Sequence, residues 1–391
     1  MKRFSAQYII TASGSILKRG IVTTDEQGLI LKIEDTKGKL RESSSIQYFN
    51  GIIVPGFVNC HAHLELSDMK GKVEKGGGLG SFITAVRDKR NPDTDKTLEA
   101  IRDYDRVMYQ TGTSAVADIC NSTLTFKTKE KSSIYYINLL EIFGLNPDDI
   151  ESKLAYILSL RDKASLYSLL SWIVPHSVYS LSSGLFEKIS PLIADNDITS
   201  IHFLESEQER LLIDQLSGPM LDSFKLIGID KTILKNRVAD HISVIEKYLP
   251  SYGSLILVHN TFATETDISR LNRRPETWWC LCPGSNLYIE NTLPPLNKLI
   301  KHKASIVLGT DSLASNESLN LLEELKILQQ NFHSITLNQL IQWACKNGAD
   351  ALRLPHLGTI ETGKSPGLVL IEDCDLENIK LTSRSKSRRL I

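Results

Sequence analysis

The chain has 391 residues, of which 41% are hydrophobic and 23% are charged, and its formal net charge at pH 7 is −1. This composition is typical of an ordinary globular protein, and the near-neutral balance gives no electrostatic reason to expect nucleic acid or an anionic membrane as a partner. The length is sufficient for one large barrel with an accessory domain.

Neither a targeting segment nor a membrane-spanning segment is expected from the sequence. The amino-terminal residues lack the continuous apolar core of a signal peptide. No stretch approaches the roughly 20 apolar residues that a membrane-spanning helix needs. The 6 cysteines are spaced too irregularly for a disulfide framework. We therefore expect a protein of the reducing cytoplasm.

Short strands are predicted at both ends of the chain. Residues 7–10, 20–24 and 29–33 are rich in strand-forming side chains, and residues 25–28 suit a hairpin turn between the last two. Near the other end, the apolar run 367–371 again begins at a glycine. Both ends are therefore predicted to be rich in β-structure.

A pair of histidines follows the first of these regions. Pro55-Gly56 is a turn signal, and the residues from Phe57 onwards are typical of a strand. Side chains two residues apart in a strand point to the same side, so His61 and His63 would project together from the strand end. Two such imidazoles can begin a metal site, although two unrelated histidines would give the same pattern.

Helical segments then alternate with strands. Residues 98–110 have helical spacing and precede a strand at 113–118, while residues 320–330 and 338–347 are predicted as amphipathic helices. The glycine-rich residues 76–80 are either a mobile loop at the mouth of a pocket or a plain connector.

Three later apolar runs also end in a residue that could bind a metal or move a proton. The first ends in His202 and Glu205, the second in His259 and the third in Asp311. Parallel α/β barrels collect functional groups in this way, because their buried strands are apolar runs with polar residues at the carboxyl ends. Four such runs, counting the one before His61, therefore indicate a site at one end of a barrel.

These motifs together resemble the metal-dependent amidohydrolase superfamily, in its branch of aminohydrolases that act on purines, pterins and triazines. The matching segments occur in the order of the family and span most of the chain: PGFVNCHAH (55–63), VPHSVYS (174–180), HFLESEQE (202–209), VHN (258–260), CPGSN (282–286) and GTDS (309–312). In addition, HLELS (63–67) followed by GSFI (80–83) is similar to aminodeoxyfutalosine deaminases.

The resemblance implies a fold and a domain organisation. The expected fold class is α/β, with a (β/α)8 TIM-like barrel and a small β-sandwich domain formed by both chain ends. The barrel would take residues 56–356, and the small domain would take residues 1–55 together with 357–391.

The resemblance also implies one divalent metal ion as cofactor. The expected ligands are His61, His63, His202 and Asp311; for Asp311 the alternative is a cap on a following helix. Members of the superfamily with two metals use a lysine on the fourth strand, and the fourth-strand candidate SWIVPH (171–176) has none. Zinc is favoured, and ferrous iron also suits imidazole and carboxylate ligands.

Three catalytic residues are expected from the same pattern. Glu205 would carry a proton to the substrate, His259 would hold water and polarise the substrate, and Asp311 would act beside the metal. The alternatives are a surface carboxylate in a first helical turn for Glu205 and a core histidine for His259.

Three further residues are expected to bind substrate. His176 would contact it directly, with a loop histidine as the alternative, while Glu65 and Phe82 would recognise or stack on a heterocycle.

The sequence as a whole indicates hydrolytic deamination of an amino-substituted heterocycle by metal-activated water, with release of ammonia. The expected substrate is a purine base, a nucleoside or an aminodeoxyfutalosine-like metabolite. Hydrolysis of a cyclic amide or of another C–N or C–X bond is one alternative, and a metal-binding protein without turnover is another. The expected partner is a small heterocyclic molecule, and both a monomer and a homodimer remain open.

Overall fold

The structure is a computed structural model of the chain, and it describes residues 1–41, 43–90, 94–238 and 240–391. The strands in these ranges are Lys2–Ile10 (β1), Ile16–Lys18 (β2), Ile21–Thr24 (β3), Ile30–Glu34 (β4), Gln47–Pro55 (β5), Phe57–Ala62 (β6), Thr113–Cys120 (β7), Tyr135–Ile142 (β8), Ser171–Pro175 (β9), Ile198–Phe203 (β10), Ser254–His259 (β11), Thr277–Leu281 (β12), Ser305–Leu308 (β13), Leu368–Glu372 (β14) and Lys386–Arg389 (β15).

The α-helices lie mainly between the barrel strands. They are Gly78–Lys89 (α1), Thr94–Thr111 (α2), Phe126–Lys131 (α3), Ile150–Leu166 (α4), Ser183–Ile193 (α5), Glu207–Gln215 (α6), Pro219–Leu226 (α7), Lys231–Leu234 (α8), His241–Tyr248 (α9), Glu265–Leu271 (α10), Pro283–Glu290 (α11), Leu296–Lys301 (α12), Leu321–Asn331 (α13), Leu337–Gln342 (α14) and Gly348–Ala351 (α15). Short 3-10 helices occupy Leu64–Met69 and Pro147–Asp149, and a π-helical turn occupies Trp343–Asn347.

Strands β6–β13 form the barrel that the sequence predicts. Strands β6–β9 make one parallel sheet, and β10–β13 make another. Every residue of β6, β7, β10 and β11 is buried, as expected for parallel strands covered on both faces. The predicted fold class is confirmed.

The two four-stranded sheets meet at two seams, each made by a single bridge. At one seam Ala62 pairs with Asp311, and at the other Ser177 pairs with His202. The N–H of Asp311 donates to the carbonyl of His61 at 3.0 Å, and the N–H of His202 donates to the carbonyl of His176 at 2.9 Å. Both seams therefore contain predicted site residues.

Strands from both chain ends form one mixed sheet beside the barrel, in the order β15-β14-β5-β1-β3-β4, with β2 paired to β1. Alternate residues of β5 serve different cores. Ile53 packs with Phe4 and Leu370 in the small domain, whereas Ile52 and Val54 belong to the large cluster that includes barrel residues. The small β-domain expected from the two ends is confirmed, and its strands are hydrogen-bonded into a single sheet.

Gly56 joins this sheet to the barrel. Its N–H donates to the carbonyl of Gly367 at 3.2 Å. A Cβ at this position would lie 1.9 Å from Oγ of Ser114 and 2.4 Å from the carbonyl oxygen of Pro366. The turn signal read from the sequence is therefore a point of close backbone approach, which excludes any side chain. The exact domain limits at 55/56 and 356/357 stay a prediction.

The predicted helices are found with small changes. Residues 98–110 lie within α2, and 320–330 correspond closely to α13. The helix predicted over 338–347 begins as α14 and continues as the π-helical turn. In the described parts of the chain, none of the helices combines the length and apolar character needed to cross a membrane.

Candidate active site

The candidate site lies where β6, β10, β11 and β13 end. His61 is the last residue but one of β6, and His63 directly follows this strand. His202 and His259 are near the ends of β10 and β11. Asp311 follows β13. All five side chains are buried, with exposures of 8% or less. The structure therefore brings the four predicted metal ligands and His259 to the same end of the barrel.

The backbone turns sharply as these strands end. Leu204, His259 and Asp311 have φ values of 48°, 75° and 57°, in the left-handed region that residues with a Cβ rarely adopt. Such conformations persist only where the surrounding structure holds them, and they cluster at functional sites. The strain coincides here with the residues that the sequence selects for chemistry.

The first group of candidate ligands is His61, His63 and Asp311. The Nε2 atoms of His61 and His63 are 3.1 Å apart. Oδ1 of Asp311 lies 3.6 Å from Nε2 of His61 and 3.4 Å from Nε2 of His63. Oδ2 of the same carboxylate accepts hydrogen bonds from the hydroxyls of Ser285 at 2.6 Å and Ser315 at 2.7 Å. Oδ1 is consequently left facing the two imidazoles.

His202 is the fourth candidate ligand. Its Nδ1 lies 2.8 Å from the carbonyl oxygen of His176, so Nδ1 carries the proton and donates it. The lone pair of Nε2 is then free for a metal. The ligand atoms of His61, His202 and His259 lie within 4.8 Å of one another, as do those of His61, His63 and Asp311.

The charges of these groups suit a divalent cation. Burial, reinforced by the neighbouring imidazoles, lowers the pKa of His63 to about 3 and that of His202 well below its usual range, so both are neutral at pH 7. Burial opposes ionisation of Asp311, but the neighbouring histidines, His61 first among them, bring its pKa well below the usual value. Within the described ranges, Asp311 has no lysine or arginine partner. A cation among these groups would balance the charge of this buried carboxylate.

Glu205 lies beside this group and is 4% exposed. Its Oε1 is 3.6 Å from Nε2 of His259, and both residues form a close cluster with Asp311. Burial, together with the charges of Asp311 and Glu209, raises the pKa of Glu205 well above its usual range. The alternative of a surface carboxylate is wrong for Glu205, because the residue precedes α6 and is enclosed.

Two neighbours of Glu205 differ in their surroundings. Glu207 is exposed in the first turn of α6. Glu209 is fully buried, and its Oε2 accepts the N–H of Glu205 at 3.1 Å. Its Oε1 lies 3.1 Å from Nε2 of His241. Of these two acids, only Glu207 occupies the solvent-facing position of a helix start.

His259 is held by the CPGSN motif. The side-chain amide of Asn286 lies 3.2 Å from Nδ1 of His259 and donates to it. The ring proton is therefore on Nε2, which faces Glu205. Burial lowers the pKa of His259 to about 3, so the ring is neutral and offers an N–H to a group in the site.

The three predicted substrate-binding residues lie in different surroundings. The ring of His176 is 4.6 Å from that of His202, and burial lowers the pKa of His176 to about 4. Phe82 is partly buried on α1 against Leu66 and its neighbours. Glu65 is 1% exposed, and its carboxylate accepts bonds from Arg90 at 2.9 Å and from Ser122 at 2.9 Å. Its oxygens are thus already engaged within the protein, whereas His176 borders the ligand group.

Sequence reasoning missed Glu141 at the end of β8. Burial raises the pKa of this carboxyl group to about 8. Its Oε1 lies 3.6 Å from Nδ1 of His202 and has no hydrogen-bond partner in the described part of the chain. The signal was present, because Tyr136-Ile-Asn-Leu-Leu-Glu141 is another mainly apolar run that ends in an acid.

Asp118 at the end of β7 was also missed. It forms a fully buried ion pair with Lys129 at 2.5 Å, and its Oδ1 accepts the N–H of Leu64 at 2.7 Å. Leu64 directly follows His63, so this pair fixes the backbone beside a candidate ligand.

The family can be assigned from the chain as a whole. A sequence model of the amidohydrolase family matches residues 52–388. The chain belongs to this family. The match contains every barrel strand and each of the predicted site residues.

Curated relatives of this amidohydrolase include two bacterial deaminases. An adenosine deaminase of Helicobacter pylori is 25% identical over 354 residues, which cover 88% of this chain and 83% of the relative. An aminodeoxyfutalosine deaminase of Nitratiruptor is 27% identical over 338 residues, covering 83% of this chain and 79% of the relative.

Solved structures share the fold of this amidohydrolase. Helicobacter pylori aminofutalosine deaminase, in complex with methylthio-coformycin, superposes with a TM-score of 0.76 at 22% identity, covering 95% of this chain and 92% of that one. An adenosine deaminase of Xanthomonas campestris with bound zinc gives a TM-score of 0.70 at 18% identity, covering 96% and 85%.

Proposed function

We propose that this amidohydrolase is a hydrolytic deaminase, which replaces the exocyclic amine of a purine-like heterocycle by oxygen and releases ammonia. The observation that carries the proposal is Glu205, a buried carboxyl group 3.6 Å from His259 and clustered with Asp311. Metal binding alone does not require this acid, whereas deamination requires a group that moves protons. The printed functions of the relatives, adenosine and aminodeoxyfutalosine deaminase, support the same reaction.

The proposed cofactor is one divalent ion, with zinc preferred and ferrous iron as the alternative. His61, His63, His202 and Asp311 would hold it, since three imidazoles and a carboxylate are a donor set that both ions accept. The zinc found in the Xanthomonas adenosine deaminase supports this choice. When bound, such an ion supplies the Lewis acidity that makes water nucleophilic near neutral pH.

The proposed proton path uses the chain's own acids. Glu205, whose raised pKa keeps a proton available, would deliver that proton to a ring nitrogen of the substrate. It would then take a proton from water and pass it to the departing amine. Asp311 lies within the same cluster and can accept a second proton. His259 would orient the oxygen by donating from Nε2, because Asn286 occupies Nδ1.

Recognition of the substrate is proposed to involve His176, Phe82 and Glu65. His176 borders the ligand group, and the hydroxyls of Ser177 and Ser180 at 3.0 and 2.9 Å fix Nδ1 of its ring. Glu65 would act through the groups it already binds. The proposed substrate is a purine base, a nucleoside or an aminodeoxyfutalosine-like metabolite.

We also propose a location, an oligomeric state and a division into domains for the protein. The protein would act in the cytoplasm, where its six unpaired cysteines would stay reduced, and as a monomer or a homodimer. The two proposed units are the barrel of residues 56–356 and the small domain of residues 1–55 with 357–391.

The test is a screen for ammonia release by metal-loaded protein with purine bases, adenosine, 5′-deoxyadenosine, aminodeoxyfutalosine and pterins. Ammonia formed together with the oxo product supports the proposal. Hydrolysis of a cyclic amide, or loss of a leaving group other than ammonia, would instead identify a different amidohydrolase reaction. A protein that holds its metal but converts none of these compounds would contradict the deaminase assignment.

A further inference from the structure

A buried carboxyl oxygen lies behind the candidate ligand His202. The side chain of Glu141 is 3% exposed, and its Oε1 is 3.6 Å from Nδ1 of His202. Among the residues that the structure describes, this oxygen has no hydrogen-bond partner. A buried polar atom without a partner costs free energy, and more so when it can be charged. Its position therefore needs a compensating electrostatic interaction.

The other oxygen of Glu141 is firmly held. The side-chain amide of Asn121 donates to Oε2 of Glu141 at 3.0 Å. The backbone N–H of Asn121 donates to Glu65 at 3.2 Å, and Glu65 in turn binds Arg90 at 2.9 Å. These contacts connect the ends of β7 and β8 with α1. They fix the direction of the Glu141 carboxyl group, so that Oε1 keeps its place behind the imidazole.

The imidazole of His202 has two distinct sides. Its Nδ1–H donates to the carbonyl of His176 at 2.8 Å, while Nε2 belongs to the cluster with His61 and His259. Glu141 thus lies on the side opposite the proposed metal. A carboxyl group on this side of a ligating histidine fixes the orientation of the ring toward the metal.

We propose that Glu141 is a positioning residue for His202, and through it for the metal. This inference rests on the proposed metal centre and deepens it. The carbonyl of His176 fixes the tautomer of His202, and the carboxyl group of Glu141, 3.6 Å from the same nitrogen, adds a second polar group that holds the ring in its orientation. Asn121 is the second residue of this arrangement, because its side chain holds Glu141 in place.

The first test is Glu141→Gln, which keeps the size of the side chain and replaces the carboxyl group by an amide. The metal-free protein is titrated with Zn²⁺ in competition with a chelating dye, so the readout is the Kd for zinc rather than activity. We expect the Kd to rise by about 10–100-fold, the usual effect of losing such a partner. The Co²⁺-loaded variant should also show an altered ligand-field spectrum, since the orientation of His202 changes.

The matched control is Asp105→Asn. Asp105 is an acid that is less buried than Glu141, and it accepts hydrogen bonds from Ser132 at 2.7 Å and from Tyr136 at 2.8 Å. Tyr136 is at the beginning of β8, whereas Glu141 is at its end. The control removes a carboxyl group that contacts the opposite end of the same strand, and the Kd for zinc should stay at the wild-type value.

A second variant covers the case in which Glu141→Gln does not fold. Asn121→Ala releases the Glu141 carboxyl group without removing it, and should weaken zinc binding in the same direction by a smaller factor. In the double variant the two effects should be less than additive, because both act through one contact.

The possible results distinguish a positioning role of Glu141 from contact with substrate and from a wrong assignment of the metal centre. Wild-type zinc affinity in both Glu141→Gln and Asn121→Ala would overturn the proposal. An unchanged Kd for zinc with a raised KM would also overturn it, since Glu141 would then contact substrate. If the wild-type protein bound no divalent metal at all, the proposed metal centre itself would be wrong, and this role with it.

Discussion

Replacing Glu205 by Gln tests the proton path most directly. The substitution keeps the shape of a side chain that is 4% exposed, and leaves the backbone N–H of residue 205 bonded to Glu209. It removes only the capacity to carry a proton 3.6 Å from His259. A positioned general acid–base group is worth about 10²–10⁴ in rate, which corresponds to about 3–5 kcal/mol of activation free energy. We expect kcat to fall by this factor.

Metal content separates this effect from damage to the site. Glu205 is not a proposed ligand, so the variant should hold the same amount of metal as the wild type by elemental analysis. Glu207→Gln is the matched control, because Glu207 is two residues away, exposed and at the start of α6. It should keep the wild-type kcat. Deamination by Glu205→Gln at the wild-type rate on the identified substrate would refute the proton path.

Three other predictions concern metal, recognition and pH. Elemental analysis should find close to one divalent ion per chain, and His61→Ala should lose both metal and activity, while the exposed His333→Ala should lose neither; two tightly held ions would contradict the single-metal assignment. His176→Ala should keep its metal, because the contact to His202 comes from the backbone carbonyl, and steady-state kinetics should show a raised KM; loss of the ion would place His176 among the ligands. Burial raises the pKa of Glu324 from 4.5 to about 8, so the folded state retains a proton that the unfolded state has lost, and stability should fall as pH rises between these values. Urea unfolding at about pH 5 and about pH 8 should show a smaller fall for Glu324→Gln than for the wild type; an equal fall in both would show that Glu324 does not contribute.

The repeating pattern of the barrel was predictable because it is local. A buried parallel strand is an apolar run, and its last residues must face the open end of the barrel. His61, His202 and Asp311 could therefore be selected one run at a time. Their convergence followed from the topology, without any knowledge of a particular distance.

Contacts between neighbouring strand ends could not be predicted in the same way. Glu141 ends a run as clearly as His259 does, but only the fold shows that it faces Nδ1 of His202. Glu65, by contrast, was selected from the sequence. Its predicted role in substrate binding stays a prediction, and the fold shows what the sequence could not, namely that its oxygens bind Arg90 and Ser122. Sequence spacing indicates where a side chain begins, whereas its partners depend on elements distant in the chain.

The single sheet made from both chain ends has a consequence for synthesis on the ribosome. Strand β5 pairs with β14, and Val54 lies opposite Val369. This edge of β5 can therefore be covered only after nearly the whole polypeptide has been synthesised. Until then β5 presents unpaired backbone groups and the apolar residues Ile52 and Ile53, which is the kind of edge that promotes aggregation. A nascent chain stalled before Leu368 would therefore carry an aggregation-prone strand beside a complete barrel. Binding of chaperones should be most important between the synthesis of β5 and that of β14.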